Sequence, residues 1–109
     1  MMDLKQLSPR EAYAAYMMGG VVVDVREPAE PQQQTPDIKR LVKLPFSELD
    51  KRFSELPHNQ PVMIVSRVGV KSKEAARFLL AHGFSDVVTI DGGINAWEEE
   101  GLPLRTTAG

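Results

Sequence analysis

The 109-residue chain contains no cysteine. That excludes disulfides, thiolate metal sites and a cysteine nucleophile. Histidine is nearly as scarce. The two present, His58 and His82, stand far apart without carboxylates at ligand spacing. A zinc site needs several such ligands close together, so no metal is expected and both histidines read as surface residues near helix ends. Charge of one sign is not in excess: 13 basic residues stand against 15 acidic ones, a formal net charge of -2. Nucleic acid or an anionic membrane would require a basic excess or patch, so neither is expected as a partner. No apolar run approaches the roughly 20 residues of a membrane span. The opening MMDLKQLSPREAY has no apolar core of a secretory signal, which makes a cytoplasmic location the expectation.

What is present is ordinary for a globular protein: 42% apolar and 26% charged residues, enough chain for one domain with a real core. We place that domain at residues 1–105 and expect residues 106–109 to fray. Ser8-Pro9-Arg10-Glu11 reads as a capping box with proline at the first helical position. The helix should bury Tyr13, Tyr16 and Met17 and stop at Gly19-Gly20. Val21 to Val25 is apolar on both faces, as an inner strand of a parallel sheet would be. The proline- and glutamine-rich stretch 26–37 reads as a loop. A strand over Ile38 to Leu44 follows, then a helix capped by Ser47 that carries Leu49, Phe53 and Leu56. Val62 to Val65 is a third strand. Ser72 looks like the start of the next helix, with Ala76, Leu79 and Leu80 inward and Gly83 at its end. A strand over Asp86 to Ile90, a turn at Asp91-Gly92-Gly93 and a short helix INAWEEE complete the chain. Strands alternating with helices predict an α/β sheet with helices on both faces. Ligands of such sheets sit at the carboxyl ends of the strands, which is where residues 66–72 fall.

That loop, Ser66-Arg67-Val68-Gly69-Val70-Lys71-Ser72, joins a strand to a helix start. The first N–H groups of a helix lack internal partners and carry the positive end of its dipole. A glycine lets the chain curl so that successive amides face inward and hold an anion or a negative sulfur. Arg67 and Lys71 would add charge nearby. A plain strand-to-helix connection with two solvated cations fits the same residues. A nucleotide phosphate loop does not, because Val70 separates Gly69 from Lys71 and no second glycine stands upstream. No cofactor is expected.

Four stretches carry a more specific likeness. VVVDVREPAE, LPFSEL, VMIVSRVGVKSKEAARFLLAHGF and IDGGINAWEEEGLPL, which together span most of the chain, resemble the successive elements of rhodanese-like sulfurtransferase domains. The resemblance implies a three-layer α/β fold with a mostly parallel sheet of about five strands. It also implies a persulfide-binding loop that opens on cysteine. Here Ser66 stands where that nucleophile belongs, the amides of Arg67, Val68, Gly69, Val70 and Lys71 where the family cradles a persulfide, and Ser72 at the loop's end. Asp24 and Arg26 fall where a neighbouring strand borders the pocket. Segment 35–39 departs from the family's usual His-Ile-Pro-Gly-Ala.

Serine changes the chemistry. A cysteine at a helix N-terminus ionises readily, whereas a serine hydroxyl forms no stable link to sulfur and needs a general base to attack anything. Neither histidine is placed in sequence to serve. The chain as it stands is therefore expected to lack sulfurtransferase turnover, and the same reasoning weighs against a serine hydrolase. Two readings follow from the likeness: a non-catalytic module binding a thiosulfate-like anion or a sulfur-carrier protein, or a sulfurtransferase with its cysteine replaced. A phosphatase, which the fold also hosts, would want a longer loop with arginine where Ser72 stands.

Overall fold

In the computed structural model of the chain, which describes residues 4–106, Ser8 caps the first helix as its sequence predicts. The Glu11 amide donates to Ser8 Oγ at 3.1 Å and the Ser8 amide donates to the Glu11 carboxylate at 2.8 Å. This satisfies two of the donors a helix start leaves open. Helix α1 runs Pro9–Met17 and turns Ala12 and Tyr16 into the core. Met17 departs from the expected stripe: it is 64% exposed, one position past the buried face, and Tyr13 is half-buried. Replacing Ser8 by Ala should cost about 1 kcal/mol, read in thermal denaturation as a fall of roughly 4–8 °C. An unchanged melting point would mean that the cap contributes nothing.

Strands β1 (Gln6–Leu7), β2 (Val21–Asp24), β4 (Leu41–Lys43), β5 (Val62–Val65) and β6 (Val87–Ile90) form one sheet in the order β1-β6-β5-β2-β4, every pair parallel. The alternation of strand and helix built that arrangement, since parallel neighbours need crossovers. Helices α2 (Leu49–Arg52) and α3 (Val70–Ala81) cover one face, where Val21, Val23, Ile64 and Leu79 meet. Helix α1 and helix α4 (Gly93–Glu99) cover the other, with Val22, Met63, Val65 and Trp97. The fold is thus a three-layer α/β structure whose five-stranded sheet is parallel throughout, in line with the mostly parallel sheet of about five strands that the likeness implied. All residues of β2 and β5 are buried because both faces are covered.

Several boundaries differ from the sequence expectation. The strand expected over 38–44 is confined to Leu41–Lys43, because the amides of Lys39 and Arg40 donate to the Tyr16 hydroxyl instead of a neighbouring strand. Ser47 caps no helix; its amide and hydroxyl bond the Glu27 carboxylate, and the segment coils as short 3-10 turns on either side of α2. The loop 26–37 contains strand β3 (Gln34–Pro36), which pairs antiparallel with β7 (Leu104–Thr106) in a small second sheet. Thr106, expected to fray, pairs there with Gln34; residues 107–109 lie outside the described residues. Among the described residues no helix is long and apolar enough to cross a membrane.

Candidate functional site

The carboxyl end of β5 delivers Ser66 to the sheet edge, 4% exposed. Helix α3 then starts at Val70 with Gly69 as its N-cap, two residues before the expected start at Ser72. Gly69 has φ +98, a left-handed conformation that costs a side-chain-bearing residue energy and glycine little. This curl folds the loop back over Ser66. The amides of Gly69 and Ser72 donate to Ser66 Oγ at 3.1 and 3.3 Å. Ser72 is no cap, and its own buried hydroxyl has no partner among the described residues. Position 66 therefore sits at the focus of inward amides at a helix N-terminus, a setting that favours negative charge.

The loop's carbonyls point elsewhere. Those of Ser66 and Arg67 accept from the amides of Ile94 and Asn95 in the first turn of α4, at 2.9 and 3.1 Å. The pair Gly92-Gly93 makes this approach possible, since a Cβ on Gly93 would lie 2.3 Å from the Ser66 carbonyl oxygen. Sequence reasoning read these glycines as a turn. Their role as a seat for the loop depends on a contact between segments about 26 residues apart, although the adjacency of two glycines was a visible signal.

Around Ser66 lies a cleft of about 160 Å³ lined by Val25, Arg26, Glu30, Arg67, Val68, Val70 and Lys71 as well as the serine. Val68 and Val70 are more than half exposed and form its apolar shoulder. Asp24 and Arg26, expected at the rim, are buried and bound to one another. The Arg26 guanidinium donates to both Asp24 carboxylate oxygens, at 2.8–3.1 Å, and to the Gln34 carbonyl at 3.0 Å. Arg26 lines the cleft, but its charge is committed; Asp24 lines the neighbouring one. Lys71 leans outward, 3.4 Å from the Glu74 carboxylate and 4.8 Å above the Phe46 ring. Arg67 is exposed and forms no ion pair among the described residues. Glu30 and Val25 were not singled out in sequence, because they reach the cleft from the β2 side.

The histidines are remote from this chemistry. His58 precedes β5, whereas Ser66 follows it, and the ring stacks on Phe84 at 3.9 Å. His82 ends α3, roughly 18 Å along the helix from its start, and stacks on Phe78. Ser66 thus has amide donors but no imidazole base.

Comparison with known proteins places the chain. The family profile of the rhodanese-like domain matches residues 8–100. A protein of Allochromatium vinosum named a sulfurtransferase is 35% identical over 108 residues, covering 98% of this chain and 95% of its own length. A Pseudomonas syringae protein named thiosulfate sulfurtransferase GlpE is 34% identical over the whole of both chains. Among solved structures, a rhodanese-related protein of Thermoplasma volcanium superposes with a TM-score of 0.81 at 29% identity, over 92% of this chain and 96% of its own.

Proposed function

This chain belongs to the rhodanese-like domain family, and on that premise we propose that it acts as a non-catalytic module of sulfur metabolism whose 66–72 loop holds a small thiosulfate-like anion or a sulfur-carrier protein. The observation that supports this reading is the pair of amides aimed at an alcohol that has no base. The amides of the 66–72 loop, those of Gly69 and Ser72 foremost, would supply the binding, with Arg26 and Asp24 holding the adjacent wall in place. A cytoplasmic site of action belongs to the same proposal. Turnover is the test. With thiosulfate and cyanide, the chain should form thiocyanate no faster than buffer does; sustained turnover would overturn the reading.

A second reading, a thiosulfate or persulfide sulfurtransferase whose nucleophilic cysteine is replaced by Ser66, is favoured by the loop's geometry. Nothing about the amide cradle depends on the side chain being an alcohol. A sulfur anion at the same point would gain the two amides and the α3 dipole.

A further inference from the structure

The five-stranded sheet ends at β4, which has β2 on one side only. The Val22 amide donates to the Arg40 carbonyl at 3.3 Å and the Leu44 amide to the Asp24 carbonyl at 3.0 Å, so positions 40 and 44 face β2. Peptide groups alternate in direction along a strand. Val42 therefore faces β2 as well, whereas Leu41 and Lys43 turn their N–H and C=O groups outward, where none has a partner among the described residues. An open cleft of about 620 Å³ adjoins this edge, bounded by Leu41 and Lys43, by Ile38 and Lys39 from the preceding loop, and by Asp37 and Arg105. Its charge is one-sided. Three cations stand against Asp37, which lies 3.7 Å from Arg105, although the chain as a whole carries -2. Lys43 reaches only the neutral Gln32 side chain, and neither it nor Lys39 forms an ion pair among the described residues. Ile38 and Leu41 pack on the core beneath α1 and α4 and give the cleft an apolar floor. Ser66 belongs to the other face, since Ile64, two residues before it, packs beneath α3.

We propose that β4 is a docking edge to which an extended acidic segment of a partner protein adds as a further strand, its carboxylates held by Lys39, Lys43 and Arg105. Main-chain bonds to Leu41 and Lys43 supply the affinity of such an added strand, and the side chains beside it choose the sequence. The outward peptide groups favour an extended segment over a compact anion, which would leave them unpaired. The cations favour acidic side chains over basic or neutral ones. Lys43 also excludes the commonest competitor. A lysine on a sheet edge discourages pairing with another copy of the same edge, because lysine would then meet lysine. Carboxylates turn the same charge into attraction. The inference does not rest on any reading of the 66–72 loop.

The test is titration of the unaltered chain with a capped heptapeptide of alternating glutamate and valine, followed by amide chemical shifts and hydrogen exchange. Binding should shift the amides of Leu41 and Lys43, slow their exchange, and leave those of residues 66–72 unmoved. Lys43→Glu should weaken the peptide by about tenfold or more, with Lys39→Glu as the second variant, and a lysine–valine peptide should not bind. Of two glutamate peptides N-methylated on opposite sets of alternate amides, one should lose about tenfold, because its bonds to β4 are blocked. Full affinity in both would overturn strand addition, since charge alone would then account for binding. A single-stranded oligonucleotide binding as tightly would overturn the acidic peptide as occupant. Protection of Leu41 and Lys43 that grows with protein concentration alone would assign the edge to a second copy and overturn the proposal as well. No shift at either amide overturns it outright.

Discussion

Ser66→Cys should create a thiol that ionises well below the ordinary cysteine range and accepts sulfur. A free cysteine titrates near about 8.5, and helix N-termini lower it to between about 3.5 and 7.5. Here two effects oppose one another. Burial at position 66 disfavours the thiolate. Two inward amides and the dipole of the twelve-residue α3 favour it. Hydrogen bonds to an anion exceed those to neutral acceptors, and both donors are already in place, so the favourable terms should win and bring the thiol below about 7. Alkylation rates followed against pH would locate that ionisation. Incubation with thiosulfate should leave one extra sulfur on the protein, visible by mass, as the thiolate takes the sulfane sulfur and sulfite departs. Cyanide should remove that sulfur as thiocyanate and return the thiolate. Relative to the serine chain the rate should rise by at least about a hundredfold, since an alcohol without a base contributes almost nothing. A thiol that titrates normally and takes up no sulfur would eliminate the replaced-cysteine reading and leave the non-catalytic one standing.

Gly93→Ala should be the most damaging single methyl in the molecule's working region. The added Cβ would meet the Ser66 carbonyl oxygen at 2.3 Å and that of Arg67 at 2.7 Å. Those are backbone atoms of the loop, already fixed by bonds from Ile94 and Asn95, and they cannot rotate away as a side chain would. Position 93 also has φ +63, a conformation that adds strain of about 1–2 kcal/mol for alanine. With overpacking of about 1–3 kcal/mol, the total is about 3 kcal/mol, a fall of roughly 15 °C in melting temperature. Gly83→Ala is the control, because its φ of +97 is strained but nothing lies within 4 Å of the added atom. It should lose only about 1 kcal/mol. In a Ser66→Cys background, Gly93→Ala should also slow sulfur uptake, since the loop must shift to admit the methyl. Equal melting points for the two alanine variants would show that α4 does not press on the loop.

Both expectations begin at residues visible in the chain, yet neither could be argued from the chain alone. The class of fold was legible because Val21 to Val23 and the whole of VMIV are apolar at successive positions, which only a sheet covered on both faces can bury. The loop was legible because a strand ended, a glycine followed and a helix began. Its detailed start was not. Ser72 has the composition of a cap, but the helix already begins at Val70, so Ser72 lies inside its first turn and its buried hydroxyl finds no partner among the described residues. Ser47 misled for another reason, since Glu27, twenty residues upstream, engages its amide and hydroxyl.

Local order, then, was written in the sequence: helix starts, buried strands, the turn chemistry of the glycines and the replacement of a nucleophile by serine. Tertiary structure alone decided how the loop is seated. The carbonyls of Ser66 and Arg67 accept from the amides of Ile94 and Asn95, and they can approach only because Gly93 carries no Cβ. The physical reason is range. Backbone preference and apolar periodicity act between near neighbours, whereas Coulomb pairing and steric contact act through space among segments that only the folded chain brings together.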